Sequence, residues 1–456
     1  MEIVSLGEIA QIIGLHLDKS SEDFSVSISG VAVDSRLVSA GDLFFALPGD
    51  HANGHDYLEQ AFANGARAAV ISSDYSGSNY GFPLLRCDDV LKALQLFAKK
   101  TLEASSLRVV GVTGSIGKTT TKDFLTILLK QKYSVSSSPG NSNSQIGLPL
   151  TILNHTNLED ELLILEMGMT HPNQIKQLVQ IAPPEVALIT KVALVHACNF
   201  DSLAGIAQAK AEIFTHPVTK LGVYHLSSAT AGIDHIGCCP KKTFSMEFPE
   251  ANYFGSIENG NMIIREDGKI AASLPLLYVP GEHNYSNFLG AVAVARAFGV
   301  SWDQIACAQA SLVLPERRLE SVEKFGVTFI NDSYNASEES VKAALRSMPS
   351  PKPGKRRIAV LGGMMELGKF SEGCHRSVAE ESLKHVDMMF CFGVETLPIL
   401  ESWQKANKKI VWTETRANLV AALQAELQLG DVVLLKGSRS KQLWKVLDEL
   451  HGLKAI

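Results

Sequence analysis

Lys118, Thr119 and Thr120 stand directly behind a glycine-rich turn, Gly111-x-x-Gly114-x-x-Gly117. An apolar run, Val109 to Val112, leads into the turn. A helical pattern leads out of it, at Phe124, Leu125, Ile127, Leu128 and Leu129. Strand, glycine turn, Lys-Thr, helix is the layout of a phosphate-binding loop, in which backbone N–H groups and a helix N-terminus face an anion. The chemistry it suits is nucleotide binding. Thr113, Gly114, Ser115, Ile116, Gly117 and Thr120 would line the phosphates, Lys118 would reach the β- and γ-phosphates, and the Thr119 hydroxyl would take a Mg²⁺ position. Val112 stands where the pattern G-x-x-x-x-G-K-[ST] needs glycine. The bland alternative is a strand-to-helix turn with a solvated lysine.

Other residues gain meaning from the elements that must carry them. The run Leu162-Leu-Ile-Leu-Glu-Met-Gly168 reads as a buried strand ending in Glu166, and Val186-Ala-Leu-Ile-Thr190 as another, followed by His196. Ligands of open α/β sheets sit beyond the carboxyl ends of the strands, so both residues are placed to meet the phosphate loop. Glu166 is a candidate Mg²⁺ ligand; either residue could equally be structural. Lys210, on a helix expected over 202–214, reads by itself as a solvated lysine. His283 and Asn284 open a helix expected to reach Phe298; they could meet a base or ribose, or simply cap. The stretch Pro139 to Pro149, with Asn141 and Asn143, is a long polar turn that either covers a ligand or lies in solvent. Asp34, Ser35 and Arg36 form a polar turn between apolar segments, suited to an anionic or sugar-like group or to an internal ion pair.

The chain has 456 residues, 46% hydrophobic and 20% charged, with a formal net charge of −6. This describes an ordinary globular protein and argues against a nucleic-acid surface or a polybasic membrane patch. Seven scattered cysteines without a C-x-x-C pair indicate neither a zinc site nor a redox motif, and suit reduced thiols in the cytoplasm. The N-terminus lacks a secretory pattern, and no apolar run reaches membrane-span length.

The fold class expected is α/β in three domains. Residues 1–85 form a small α/β module. Residues 86–313 hold the phosphate loop on a mainly parallel sheet, completed by a strand-rich meander over 217–278 (strands at 221–224, 242–248, 262–265 and 270–277). Residues 314–456 alternate strands at 328–331, 357–361, 387–392, 409–412 and 431–435 with helices, which predicts a Rossmann-like doubly wound domain. Its polar clusters at 331–335, 362–368 and 436–440 fall at strand ends and are expected to share one edge.

Together these residues resemble the Mur ligase family over nearly the whole chain. Thr113-Gly-Ser-Ile-Gly-Lys-Thr-Thr120 is similar to the family's own form of the phosphate loop. Asn141 to Leu150, Glu166-Met-Gly168, His196, Ala209-Lys-Ala-Glu-Ile213, Gly281-Glu-His-Asn284, Arg318, Asp332-Ser-Tyr-Asn-Ala336 and Leu361 to Gly368 carry the rest of the resemblance. It implies an ATP-dependent amide ligase of peptidoglycan precursor synthesis, with ATP and Mg²⁺ and a carbamylated Lys210. Thr119, Glu166, His196 and Lys210 would arrange the metals, with Lys118 at the transferring phosphoryl group. His283, Asn284, Arg318 and Asp332 would contact the nucleotide. UDP-MurNAc-tripeptide would lie on the first domain at Asp34, Ser35 and Arg36, with Asn141 and Asn143 toward the substrate. D-alanyl-D-alanine would lie on the third, near Tyr334 and Asn335. A monomer is expected. Lys191, Ala197-Cys-Asn199 and Gly363 depart from the family pattern, which has Asn, Leu-Glu-Gly and commonly Asp there. Another ligase of the family, a folylpolyglutamate synthase-like enzyme, or a P-loop kinase or NTPase are the alternatives.

Overall fold

The computed structural model describes residues 3–15, 23–49 and 52–452. The outermost expected domain bounds, residues 1 and 456, lie outside them.

The first sheet has four parallel strands in the order Gly30–Ala32, Asp42–Phe45, Ala68–Ser72, Leu84–Cys87. Successive side chains on a strand face opposite ways. Phe44 and Phe45 are accordingly both buried, in two different apolar clusters. The last strand runs past the boundary expected at residue 85, because Ser72 and Cys87 remain in register. The Asn154 side chain ties this sheet to the central domain: its amide donates to the Val31 carbonyl at 2.7 Å and its oxygen accepts from Val31 N–H at 3.0 Å.

The central sheet has nine strands, ordered Lys269–Pro275, Asn261–Glu266, Tyr253–Glu258, Lys241–Ser245, Leu221–His225, Val186–Ile189, Arg108–Thr113, Leu162–Glu166, Val135–Ser137. Neighbours are parallel from Tyr253–Glu258 to the Val135–Ser137 edge; only the first two strands in that order join by antiparallel hairpins. The meander expected over 217–278 is therefore corrected. Leu221–His225 and Lys241–Ser245 extend the parallel sheet, and their connection is two 3₁₀ turns, Leu226–Ala231 and Ile233–His235, with no helical periodicity to read. Tyr253–Glu258 was not expected as a strand. The hairpin turns do fall at Asn259-Gly260 and Asp267-Gly268, both residues of each pair having positive φ.

The third sheet runs Glu320–Lys324, Val327–Asn331, Val432–Lys436, Arg357–Gly362, Met388–Phe392, Lys409–Thr413. Every neighbour pair is parallel except the first. The five expected strands are present. The sixth, Glu320–Lys324, was missed because it is a polar, largely exposed edge strand. No helix among the described residues is long and apolar enough to cross a membrane.

One ion-pair cluster fastens the third domain's outer helices. Glu381, on Ser371–His385, accepts from Arg346 Nε at 2.5 Å and from Lys384 and His385. These contacts, Arg346 first, hold its carboxyl down at about 2 against an ordinary 4.5. A depressed folded pKa gives stability that is present above the ordinary value and lost as pH falls toward 2. Glu381→Gln is expected to cost about 1 kcal/mol at pH 7, since the cationic partners are half in water. Denaturant unfolding at pH 7 and pH 3 should show the gap to wild type narrowing; a constant gap contradicts the charge assignment.

Candidate active site

The phosphate loop is shaped by two contacts that exclude side chains. Gly114 has φ 147°, and a Cβ there would lie 1.8 Å from Thr190 Oγ1. Gly117 has φ 85°, and its Cβ would lie 2.2 Å from Asn287 Oδ1. Both positions need glycine for close approach as well as for backbone conformation. The loop is pinned from the neighbouring strand end: the Lys191 carbonyl accepts from Ser115 and Ile116 N–H, and Thr190 Oγ1 donates to the Ile116 carbonyl at 2.6 Å. The Thr113 hydroxyl is buried beneath, without a partner among the described residues.

Lys118 opens the helix Lys118–Leu129 and folds back to donate to the Gly114 and Ser115 carbonyls at 3.0 and 3.3 Å. Burial lowers its pKa, Glu166 opposes that, and Arg318 adds to it. Glu166, fully buried at its strand end, accepts from Thr119 Oγ1 at 2.7 Å and from Asn143 Nδ2 at 2.6 Å. The polar turn after Pro139 is held rather than free, since buried Lys122 donates to the Ser138 and Gly140 carbonyls. Lys210 is 3% exposed and, among the described residues, has no hydrogen bond or ion pair. Burial drives its pKa well below the lysine range, Lys118 pushes the same way, and Glu166 opposes. The solvated-lysine reading of Lys210 is thereby overturned.

His196 sits in a left-handed backbone conformation, φ 56°. Its Nδ1 bonds to a carboxylate oxygen of Glu366, which belongs to the third domain and is itself left-handed at φ 61°. Burial lowers the imidazole pKa against the pull of Glu366. A neutral ring bonded through Nδ1 leaves Nε2 as its free lone pair. Cys198 N–H donates to the Glu366 carbonyl at 3.0 Å. The departure at 197–199 thus forms part of the contact between domains.

Two cavities adjoin the loop. One of about 540 Å³ brings together Lys118, Thr119, Asn141, Asn143, Glu166 and His196 with Arg318, Tyr334 and Asn335. It also takes in the other two polar strand-end clusters, through Glu366 and Arg439. The second, about 930 Å³, holds Thr120, His283, Asn284, Arg318 and Asp332. Arg318 lines both; its neighbours Arg317 and Leu319 have φ 59° and 49°, a sharp turn that feeds the side chain between them. His283 is pushed down to about 4 by burial, and its Nδ1 has no partner among the described residues. Asn284 donates to the Pro280 carbonyl at 2.7 Å, so it does brace its helix start. Lys191 rims the second cavity and pairs with Glu247 at 3.2 Å. At Gly363 a Cβ would lie 2.6 Å from Glu395 Oε2; that carboxylate, paired to Lys441, fills the space.

Asp34, Ser35 and Arg36 line neither cavity. Asp34 caps the turn and pairs with Arg36 at 2.6 Å, and Ser35 Oγ donates to Gln60.

Sequence reading put Lys436 at the head of a strand-end cluster but gave it no role of its own. It is 1% exposed and donates to Asp332 Oδ2 at 2.6 Å, the Asp332 carbonyl at 3.3 Å and the Asn335 carbonyl at 3.0 Å. The polar cluster after its strand was the available signal. Lys436→Met is expected to destabilise the protein by about 3 kcal/mol by stranding a buried carboxylate, with added Asp332→Asn recovering most of the loss. Melting temperatures of the two variants test this; a single variant that melts like wild type contradicts the pairing.

Three family descriptions match the chain: Mur ligase family, catalytic domain, over residues 27–99; Mur ligase middle domain over 112–295; and Mur ligase, glutamate ligase domain, over 317–439. The UDP-N-acetylmuramoyl-tripeptide–D-alanyl-D-alanine ligase of Bacillus subtilis (strain 168) is 32% identical, over 93% of this chain and 93% of its own length. Its namesake from Synechocystis is 33% identical, over 96% and 94%. The chain belongs to the Mur ligase family. Among solved structures, the Thermotoga maritima MurF ligase in complex with ADP superposes with a TM-score of 0.76 at 29% identity, covering 92% of this chain and 96% of that one. Acinetobacter baumannii MurF gives 0.85 at 25% identity, covering 99% of each. This Mur ligase has the three-domain α/β fold of those enzymes and is an ATP-dependent ligase.

Proposed function

We propose that this chain joins D-alanyl-D-alanine to UDP-MurNAc-tripeptide, giving UDP-MurNAc-pentapeptide, ADP and phosphate. The supporting observation is that one cavity joins Lys118, Glu166 and His196 to the Tyr334–Asn335 turn of the third domain, beside a nucleotide-sized cavity, in a chain matching enzymes of that name over nine-tenths of its length.

A carboxylate resists attack by an amine because its leaving group would be oxide. Transfer of the γ-phosphoryl group of ATP to the tripeptide carboxylate breaks the β,γ P–O bond and releases ADP. The amine of D-alanyl-D-alanine then forms the C–N bond as phosphate leaves. The protein's part is positioning and charge neutralisation. Lys118 and Arg318 face the transferring phosphoryl group, and His283, Asn284 and Asp332 hold the nucleoside. Asn141 and Asn143 bound the carboxylate's approach, and Tyr334 and Asn335 that of the amine.

The donor set fits Mg²⁺: the Thr119 hydroxyl and the Glu166 carboxylate are hard oxygen donors 2.7 Å apart, beside a neutral His196. The bound ion would supply charge neutralisation on the phosphates. Lys210, shielded and unpartnered, has the neutral amine that carbamylation by CO₂ requires, and as a carbamate it would offer a further oxygen ligand. Glu366 orients His196 across the domain boundary, so the site is complete only when the domains are together, which also excludes water from the acyl phosphate.

The first domain, to about residue 88, holds the UDP end. This suits the placing of Asp34, Ser35 and Arg36 away from the reacting cavities. Residues 89–313 bind ATP and residues 314–456 the dipeptide. The enzyme works in the cytoplasm as a monomer. Phosphate release from ATP, Mg²⁺ and UDP-MurNAc-tripeptide should require D-alanyl-D-alanine; release that ignores the dipeptide contradicts the assignment.

A further inference from the structure

Glu339 has one carboxylate oxygen, Oε2, that is shut off from water and has no partner among the described residues. It stands in the first turn of the third-domain helix Glu338–Arg346 and lines the 930 Å³ cavity from that side. A sheltered carboxylate oxygen without a donor is costly, so a cation that completes it has a large effect for one contact. The cations on its own domain are engaged elsewhere. Lys342 donates to Glu338 and to Ser377, both at 2.6 Å, Arg346 donates to Glu381, and Lys436 donates to Asp332.

Lys191 lines the same cavity from the central domain. Its ammonium pairs with Glu247 at 3.2 Å, and both side chains are about half in water. Such a pair is weak, and an ammonium has three N–H groups to give. Burial raises the Glu339 carboxyl pKa most, and Lys191 is among the charges that pull it back, so the two charges already feel each other across the domain boundary. The Lys191 backbone cannot follow its side chain. Its carbonyl accepts from Ser115 and Ile116 N–H at 3.0 and 3.1 Å, which fixes it to the phosphate loop.

We infer that Lys191 and Glu339 form a strap across the second cavity, the Lys191 ammonium reaching from Glu247 to the unpaired Glu339 oxygen over a bound nucleotide. The inference rests on the reading of that cavity as the nucleotide site. The strap ties the third domain to the phosphate loop through one side chain, and it slows the departure of the nucleotide. Both residues are positioning residues: they act on how long the nucleotide stays, through the domain contact.

The test is the release of methylanthraniloyl-ADP, bound with Mg²⁺ to the full-length enzyme and chased by excess ADP in a stopped-flow fluorimeter. Lys191→Gln and Glu339→Gln keep the length or shape of the side chain, and both should melt like wild type. Each should release the nucleotide about 10-fold faster, the scale of one coupling contact between two sites. The double variant should release it no faster than either single one, because both changes break the same contact. Glu247→Gln should release it no faster than wild type, since it only frees Lys191 for Glu339. Effects that multiply to about 100-fold in the double variant overturn the inference, as does a Glu339→Gln enzyme that releases like wild type. A 10-fold faster release from Glu247→Gln assigns Lys191 to Glu247 and overturns it too. Wild type that takes up no labelled nucleotide overturns the reading of the cavity, and the strap with it.

Discussion

Lys118→Ala is expected to lower kcat about 10³-fold, the scale on which removing one preorganised charge donor from a transition state acts. The expectation follows from the loop. Lys118 is partly buried, bonded only to the carbonyls of Gly114 and Ser115, and aimed into the cavity that holds Glu166 and His196. Nothing else in the loop carries a full charge, and its N–H groups cannot replace one. The fold should survive, because no ion pair breaks and the truncated side chain opens onto a cavity. Single-turnover phosphate release, with circular dichroism to confirm folding, checks both parts. Turnover within tenfold of wild type would remove Lys118 from the phosphoryl-transfer step.

The second large effect belongs to Lys210. Its ammonium is buried, unpartnered and depressed in pKa. A buried charge without a partner is costly, so the neutral amine is favoured and can take up CO₂. If the working form is an anionic carbamate, Lys210→Arg should fail as badly as Lys210→Ala, each losing about 10²-fold in kcat, because arginine keeps the cation and cannot form a carbamate. Lys210→Glu, which brings a carboxylate of its own, should recover part of the loss. The three variants assayed side by side over a range of Mg²⁺ concentrations decide it. Arg better than Ala and Glu would mean that the cation itself is what the site uses.

The two lysines also mark where sequence reading works and where it stops. Lys118 was legible because its role is written locally, in glycines, a strand and a helix within a dozen residues. Lys210 was not. Its neighbours Ala207, Ala209 and Ala211 give no sign of which side faces the protein, and only packing of its helix within the central domain buries it. The alternating strands and helices of the third domain were readable from their periodicity, whereas the polar edge strand Glu320–Lys324 had no apolar face to announce it. The strand ends at Glu166 and 331–335 followed from the open-sheet rule. What that rule could not supply was contact between elements distant in the chain, whether across domains or within one. Glu366 on His196, Lys436 beneath Asp332 and Asn335, and Glu395 filling the space beside Gly363 all join residues far apart in the chain. Such pairs depend on how separately legible units dock.

In the proposed reaction the tripeptide carboxylate is phosphorylated before the amine attacks, in a cavity lined by Lys118 and Glu166 of the central domain and by Tyr334 and Asn335 of the third. The most direct test uses UDP-MurNAc-tripeptide with ¹⁸O in its reacting carboxylate, turned over with ATP, Mg²⁺ and D-alanyl-D-alanine. The account predicts one ¹⁸O in each released phosphate and one retained in the new amide. Unlabelled phosphate accompanying amide product would contradict it.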